Sequence, residues 1–117
     1  MVVTEEGWEK LDRFRAIVED AIKSGQTIYG INTGFGYLAD VKIDAEKLQT
    51  LQLNLIRSQA CGVGEPLPIQ MSRGLLIVRA HTFLLGHSAV SRNVVETILA
   101  FLKHDIIPII PTQGSVG

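Results

Sequence analysis

The sequence predicts a mainly α fold of about four helices, with a short extended segment around a glycine-rich loop that carries Tyr29. Two observations predict the helices. Apolar residues recur at spacings of three and four in four separate stretches, and glycine, proline or a capping residue punctuates the stretches between them. A third observation predicts the loop. The run TIYGINTGFG at 27–36 holds Gly30, Gly34 and Gly36, and glycine costs about 1 kcal/mol per helical position relative to alanine. Ile28, Tyr29, Ile31 and Phe35 are apolar and expected to be buried, so this is no linker but a loop built to hold an unusual backbone shape. Tyr29 is its one residue able to do acid or base chemistry.

Taken in order, residues 4–24 read as an amphipathic helix. Trp8, Leu11, Phe14 or Arg15, Val18 and Ile22 share one side, Thr4 is placed to cap the start, and Lys23 followed by Gly25 suits the stop. Residues 26–29 are expected to enter the glycine loop as a short strand and residues 37–43 to leave it extended. Asp44 is the expected cap of a second helix, marked by Leu48, Leu51, Leu55 and Ile56 and ended by Gly62 and Gly64. Glu65-Pro66-Leu67-Pro68 reads as a turn, with Pro68 at the first position of a third helix over 68–86. That helix is apolar nearly all round (Ile69, Met71, Leu75, Leu76, Val78, Ala80, Phe83, Leu84), a pattern that calls for burial on nearly all sides. Four short helices can hardly surround it, so the chain is expected to be part of something larger. Ser91 is the expected cap of a fourth helix with Val94, Val95, Ile98, Leu99 and Leu102 on its apolar face. The prolines at 108 and 111 force the tail out of helical geometry. Gly114-Ser115-Val116-Gly117 then reads as a tight turn, and the chain is expected to be cut at Gly117 rather than to end there naturally.

With 117 residues, 46% of them hydrophobic and 20% charged, and a net charge of −1, the chain has the composition of one globular domain at most. It lacks the basic stripe of a nucleic-acid binder, since Arg57, Arg73, Arg79 and Arg92 are scattered. The lone Cys61 excludes an internal disulfide and, with no basic-plus-apolar leader, suits a cytoplasmic location. The most apolar run, 74–86, is broken by Arg79 and His81 and is shorter than the roughly 20 residues that span a bilayer, so no membrane partner is expected. His81 and His87 have no carboxylate or second histidine at metal-ligand spacing, which points to no metal. His104 suits a helix C-terminus, and Cys61 reads as a small buried residue. The glycine loop lacks the Gly-Lys-Ser/Thr ending of a phosphate cradle and the full dinucleotide spacing.

Three blocks carry a resemblance: YGINTGFG at 29–36, LQLNLIRSQACGVGEPLP at 51–68, and IPIIPTQGSVG at 107–117. In order and over most of the chain, they resemble the N-terminal part of the aromatic amino acid ammonia-lyases. Histidine ammonia-lyases are nearest, with the phenylalanine and tyrosine lyases and the 2,3-aminomutases close by. The resemblance implies that residues 1–117 are the N-terminal portion of an ammonia-lyase domain. In the family, GSVG is followed by Ala-Ser-Gly, which cyclises into the methylidene-imidazolone (MIO) electrophile, so the chain would stop just before it.

The implied reaction eliminates ammonia from histidine or a related aromatic amino acid, giving an α,β-unsaturated acid of the urocanate type. Pulling a proton from an unactivated carbon next to a ring needs an electrophile that makes the amine a leaving group. It also needs a base near the β-carbon, and the resemblance assigns that role to Tyr29. A free phenol with a pKa of about 10 is a weak base at neutral pH. Backbone N–H groups freed by the loop glycines, or a helix N-terminus, are the expected stabilisers of its phenolate. Gly30, Asn32, Gly34 and Gly36 are expected to shape the loop. Ser58 and Gln59 fall where the family reads the substrate side chain; histidine lyases carry Ser-His there, tyrosine lyases His-Leu and phenylalanine lyases Phe-Leu. Gln59 puts an amide in place of the imidazole, able to donate and accept but not to change charge. The resemblance further implies a homotetramer whose sites combine several subunits, and no activity for the 117 residues alone. The alternatives are a tyrosine or phenylalanine lyase, a 2,3-aminomutase, or a non-catalytic split or degenerate lyase half.

Overall fold

A computed structural model describes residues 2–36, 41 and 43–115. In chain order they form helix α1 (Glu5–Lys23), a 3₁₀ turn (Ala45–Lys47), helix α2 (Leu48–Gln59), strand β1 (Val63–Pro66), helices α3 (Ile69–Leu84) and α4 (Arg92–Lys103), and strand β2 (Pro111–Gln113). The mainly α expectation with four helices holds.

Helix α1 begins where its cap lies. Thr4 is extended at ψ 157°, and its Oγ1 accepts the Gly7 N–H at 3.3 Å, taking up one of the amide groups a helix start leaves unpaired. Glu5 and Glu6 sit at the positive end of the helix and Lys23 at the negative end. Its apolar side turns inward: Leu11 is fully buried, with Trp8, Phe14, Val18 and Ile22 partly so.

Helices α1, α3 and α4 pack on one another. Where they meet, α3 contributes small residues, since its two buried positions are Ser72 and Ala80. Val95 of α4 and Leu11 of α1 are the largest apolar side chains that are fully enclosed. Between α3 and α4 the chain turns at Gly86, which has φ +89° and sits against Phe14; a Cβ there would stand 2.6 Å from the ring. Arg92, the first residue of α4, ties back to α1: its Nη2 donates to Asp12 and its guanidinium lies 4.9 Å over the Trp8 ring. The hydrogen bond to Asp12 raises the Arg92 pKa against a smaller opposing effect of desolvation.

Leu76, Phe83 and Leu84 of α3 are partly covered, but five other large apolar side chains of the helix are left open among the described residues. Ile69, Met71, Leu75, Ile77 and Val78 are all 43% exposed or more. The radius of gyration, 16.1 Å, exceeds the roughly 13 Å of a compact domain of about 100 residues. The sequence pattern of a helix apolar on all sides is therefore met on one side only.

Four local expectations are corrected. Residues 26–28 form no strand, and 29–31 make a turn, with Ile31 and Asn32 N–H both bonding to Ile28 O. The pairing across the loop is one step further along, with Gly34 N–H donating to Val41 O and Ile43 N–H to Asn32 O. Asp44 precedes a 3₁₀ turn rather than capping α2, whose cap position is held by Lys47 without a side-chain bond. Glu65 and Pro66 lie in β1, not in a turn. This strand pairs antiparallel with β2, Val63 opposite Gln113 and Pro66 opposite Pro111. Pro68 stands just before α3 as its cap, and Ser91 caps α4 in position but makes no side-chain bond. The extended residues 37–40 and 42, and the end of the final turn at 116–117, lie outside the described residues.

Candidate active site

The glycine loop is fastened from inside by two polar side chains. Asn32 is 4% exposed; its Oδ1 accepts the Ile28 N–H at 2.8 Å and its Nδ2 donates to Gln26 O at 2.6 Å. Thr33, equally enclosed, accepts the Gly30 N–H at 3.3 Å and donates its hydroxyl to Gly34 O at 2.9 Å. A buried amide is tolerated when both ends are satisfied, as here. Sequence reasoning assigns loop shaping to Asn32 and overlooks Thr33. The available signal was a hydroxyl residue set one position before a glycine, where local side-chain-to-backbone bonds compete with regular structure.

Gly30 and Gly36 have φ of +78° and +56°, the left-handed region that side-chain-bearing residues rarely adopt. Gly34 acts differently, being buried with its N–H committed to Val41 O. The turn at Gly30 swings Tyr29 out of the loop. Its ring is 62% exposed, correcting the expectation of burial, and it rests edge-on against Phe35 with centroids 6.0 Å apart. The expected source of phenolate stabilisation is narrowed at two of the three loop glycines. The Gly30 and Gly34 N–H groups bond within the loop, so they are not available to the phenol.

Phe35 joins the loop to α2. With Gly34, Val41, Ile43, Leu51 and Ser58 it lines an apolar recess of about 380 Å³. Ser58 donates its hydroxyl to Leu55 O at 2.8 Å, which leaves it able only to accept from a ligand. Gln59 opens elsewhere, into a recess of about 490 Å³ shared with Gly62 and the run from Ile110 to Ser115. Its amide has no partner among the described residues. The two neighbours at the end of α2 therefore line separate recesses. One holds Ser58 together with Phe35, the ring on which Tyr29 rests, and the other holds Gln59 beside the run from Ile110 to Ser115.

His87 packs tilted against Phe14 at 5.8 Å, and Cys61 is exposed, not buried as expected. No group of three or more His, Cys, Asp or Glu able to hold a metal occurs among the described residues, and no helix there is long and apolar enough to cross a membrane.

The sequence profile of the aromatic amino acid lyases matches residues 1–117. The chain belongs to the aromatic amino acid lyase family. It is 53% identical over 112 residues to the histidine ammonia-lyase of Geobacillus thermodenitrificans (strain NG80-2), an alignment covering 96% of this chain and 22% of that protein. The crystal structure of histidine ammonia-lyase from Trypanosoma cruzi superposes with a TM-score of 0.86 at 35% identity, over 98% of this chain and 22% of that one. Tyrosine aminomutase from Streptomyces globisporus superposes with a TM-score of 0.91 at 34% identity, over 97% and 22%. This member of the aromatic amino acid lyases thus spans under a quarter of the length of the relatives it matches.

Fastening by Asn32 leads to one expected result. Asn32→Ala leaves the Ile28 N–H without its partner and lowers stability by about 2 kcal/mol. Hydrogen exchange reads this locally: the Ile28 amide loses protection, while amides in the middle of α4 keep theirs. Uniform loss across both would mean that the loop is not held separately.

Proposed function

We propose that residues 1–117 are the N-terminal portion of an ammonia-lyase domain that removes ammonia from histidine or a related aromatic amino acid, yielding the α,β-unsaturated acid. The 53% identity to a histidine ammonia-lyase across nearly the whole chain carries this reading. A tyrosine or phenylalanine lyase or a 2,3-aminomutase is the second reading, favoured by Gln59 and by the likeness to a tyrosine aminomutase.

In the proposed reaction Tyr29 is the base. The loop holds the phenol outward, where it can reach a β-carbon held against the protein surface, and the ring contact with Phe35 limits its swing. Ser58 and Gln59 contact the substrate side chain, Ser58 as acceptor and Gln59 through either end of its amide. Stabilisation of the phenolate falls to donors other than the Gly30 and Gly34 amides, which are committed within the loop.

An MIO group formed from an Ala-Ser-Gly after Gly117 would supply the electrophile that turns the substrate amine into a leaving group. The residues present fit such a group. The run from Ile110 to Ser115, which precedes that group in sequence, shares a recess with Gln59, and Gly114 lies against the backbone of Gly62. The proposed partners are the amino acid substrate, the remainder of the polypeptide and further copies in a homotetramer, located in the cytoplasm. Their burial of the α3 face would account for its exposure here.

The reading is tested with the 117 residues alone and with the full-length polypeptide. The short chain is expected to produce no urocanate or cinnamate from histidine or phenylalanine, and the full-length protein to produce one of them. Turnover by residues 1–117 would show that the electrophile and the absent contacts are dispensable, against this proposal.

A further inference from the structure

Gly62 and Gly114 face each other where the end of α2 meets β2. A Cβ built on Gly114 would stand 3.2 Å from Gly62 Cα, and one built on Gly62 would stand 2.8 Å from the Pro111 ring. Neither glycine has a positive φ, unlike Gly64 at +89°. Backbone conformation therefore gives no reason for glycine at these two positions, and close approach does. The atoms in the way are poorly able to yield. Gly62 Cα is main chain, and Pro111 is held by its pairing with Pro66 and by the neighbouring Leu67 N–H bond to Ile110 O at 2.8 Å.

This contact bears directly on Gln59. Cys61 N–H bonds to Gln59 O at 2.9 Å, a tight turn that ties Gln59 to Gly62 with little slack. Gln59, Gly62 and the run from Ile110 to Ser115 wall one recess, so the spacing of Gly62 from Gly114 fixes its width.

We propose that Gly62 and Gly114 are positioning residues whose backbone contact sets the distance of Gln59 from the Thr112–Ser115 wall and thereby the size of substrate ring accepted. The inference rests on the lyase reading, in which Gln59 meets the substrate side chain. A methyl at Gly114 must push the two walls apart by a few tenths of an ångström. Removing the Pro111 ring takes away the side chain packed against Gly62, the other member of the contact, so that Gly62 can shift relative to Gly114 without added bulk. Both changes favour the larger ring.

The test uses the full-length protein and two amine-free ligands, imidazolepropionate and 3-phenylpropionate, whose dissociation constants are measured by calorimetry. Gly114→Ala and Pro111→Ala are each expected to shift the ratio of the two constants toward the phenyl ligand by at least about 10-fold, while Gly74→Ala, whose added Cβ meets nothing within 4 Å, leaves it within about twofold. The Pro111 variant decides the matter if the Gly114 variant does not fold. A folded Pro111→Ala protein with an unchanged ratio overturns the proposal. If the parent binds neither ligand and turns over no aromatic amino acid, the lyase reading fails. The positioning role is then judged by crystallography of Gly114→Ala, where an unmoved Gln59 overturns it and a displaced one supports it.

Discussion

Replacing Tyr29 by phenylalanine in the full-length protein is expected to lower kcat by at least about 100-fold with little change in KM, the signature of a group that acts only in the transition state. The substitution is clean. It removes one oxygen and keeps the ring that packs edge-on against Phe35, and the phenolic oxygen has no hydrogen-bond partner among the described residues. The loop stays fastened, because Asn32 and Thr33 hold it through backbone groups that the change does not touch. Steady-state kinetics with histidine, phenylalanine and tyrosine read the effect. A variant retaining more than about a tenth of the parent kcat would place the base elsewhere. A rise in KM alone would give Tyr29 a binding role.

Leu11→Ala is expected to destabilise the chain by about 2–5 kcal/mol, the range for emptying a fully enclosed leucine site. The consequence is unusually large here because so little else is enclosed. Among the described residues the buried apolar positions are Leu11, Ala21, Ala80 and Val95, two of them alanines. Natural domains have only about 5–15 kcal/mol in total, so losing one of two large core side chains takes a substantial share. Urea unfolding followed by helical circular dichroism measures it. Ile17→Ala, on the same helix but 59% exposed, serves as the control and is expected to change stability by less than about 0.5 kcal/mol. Equal losses in the two variants would mean that α1 does not dock through Leu11.

What could be read from the sequence was whatever depends on neighbours along the chain. The start of α1 follows from Thr4 and its two glutamates, and its inward face from the spacing of Trp8, Leu11, Val18 and Ile22. The loop follows from three glycines around Asn32, and the family from three motif blocks that the profile then matched over 1–117. These signals are short-ranged, because caps, turns and helical periodicity act within about four residues.

Contacts across the chain decided the rest. Val63 to Pro66 carries turn-forming residues, and it becomes a strand because Pro111 to Gln113, far along the chain, offers it a partner. The loop amides that a stretch of glycines leaves free on paper are taken by Thr33 and Val41 once the loop closes. Ser58 and Gln59, adjacent in sequence, open into separate recesses, since consecutive residues near a helix end point in different directions. The apolar circumference of α3 announces a buried helix, yet burial needs neighbours on every side, and α1 and α4 cover only the side of Ser72 and Ala80. Sequence by itself thus determined the helices, the loop and the chemical identity of its phenol. Tertiary structure determined which groups remain free to act, because hydrogen-bond partners and enclosing surfaces are supplied by residues far apart in the chain.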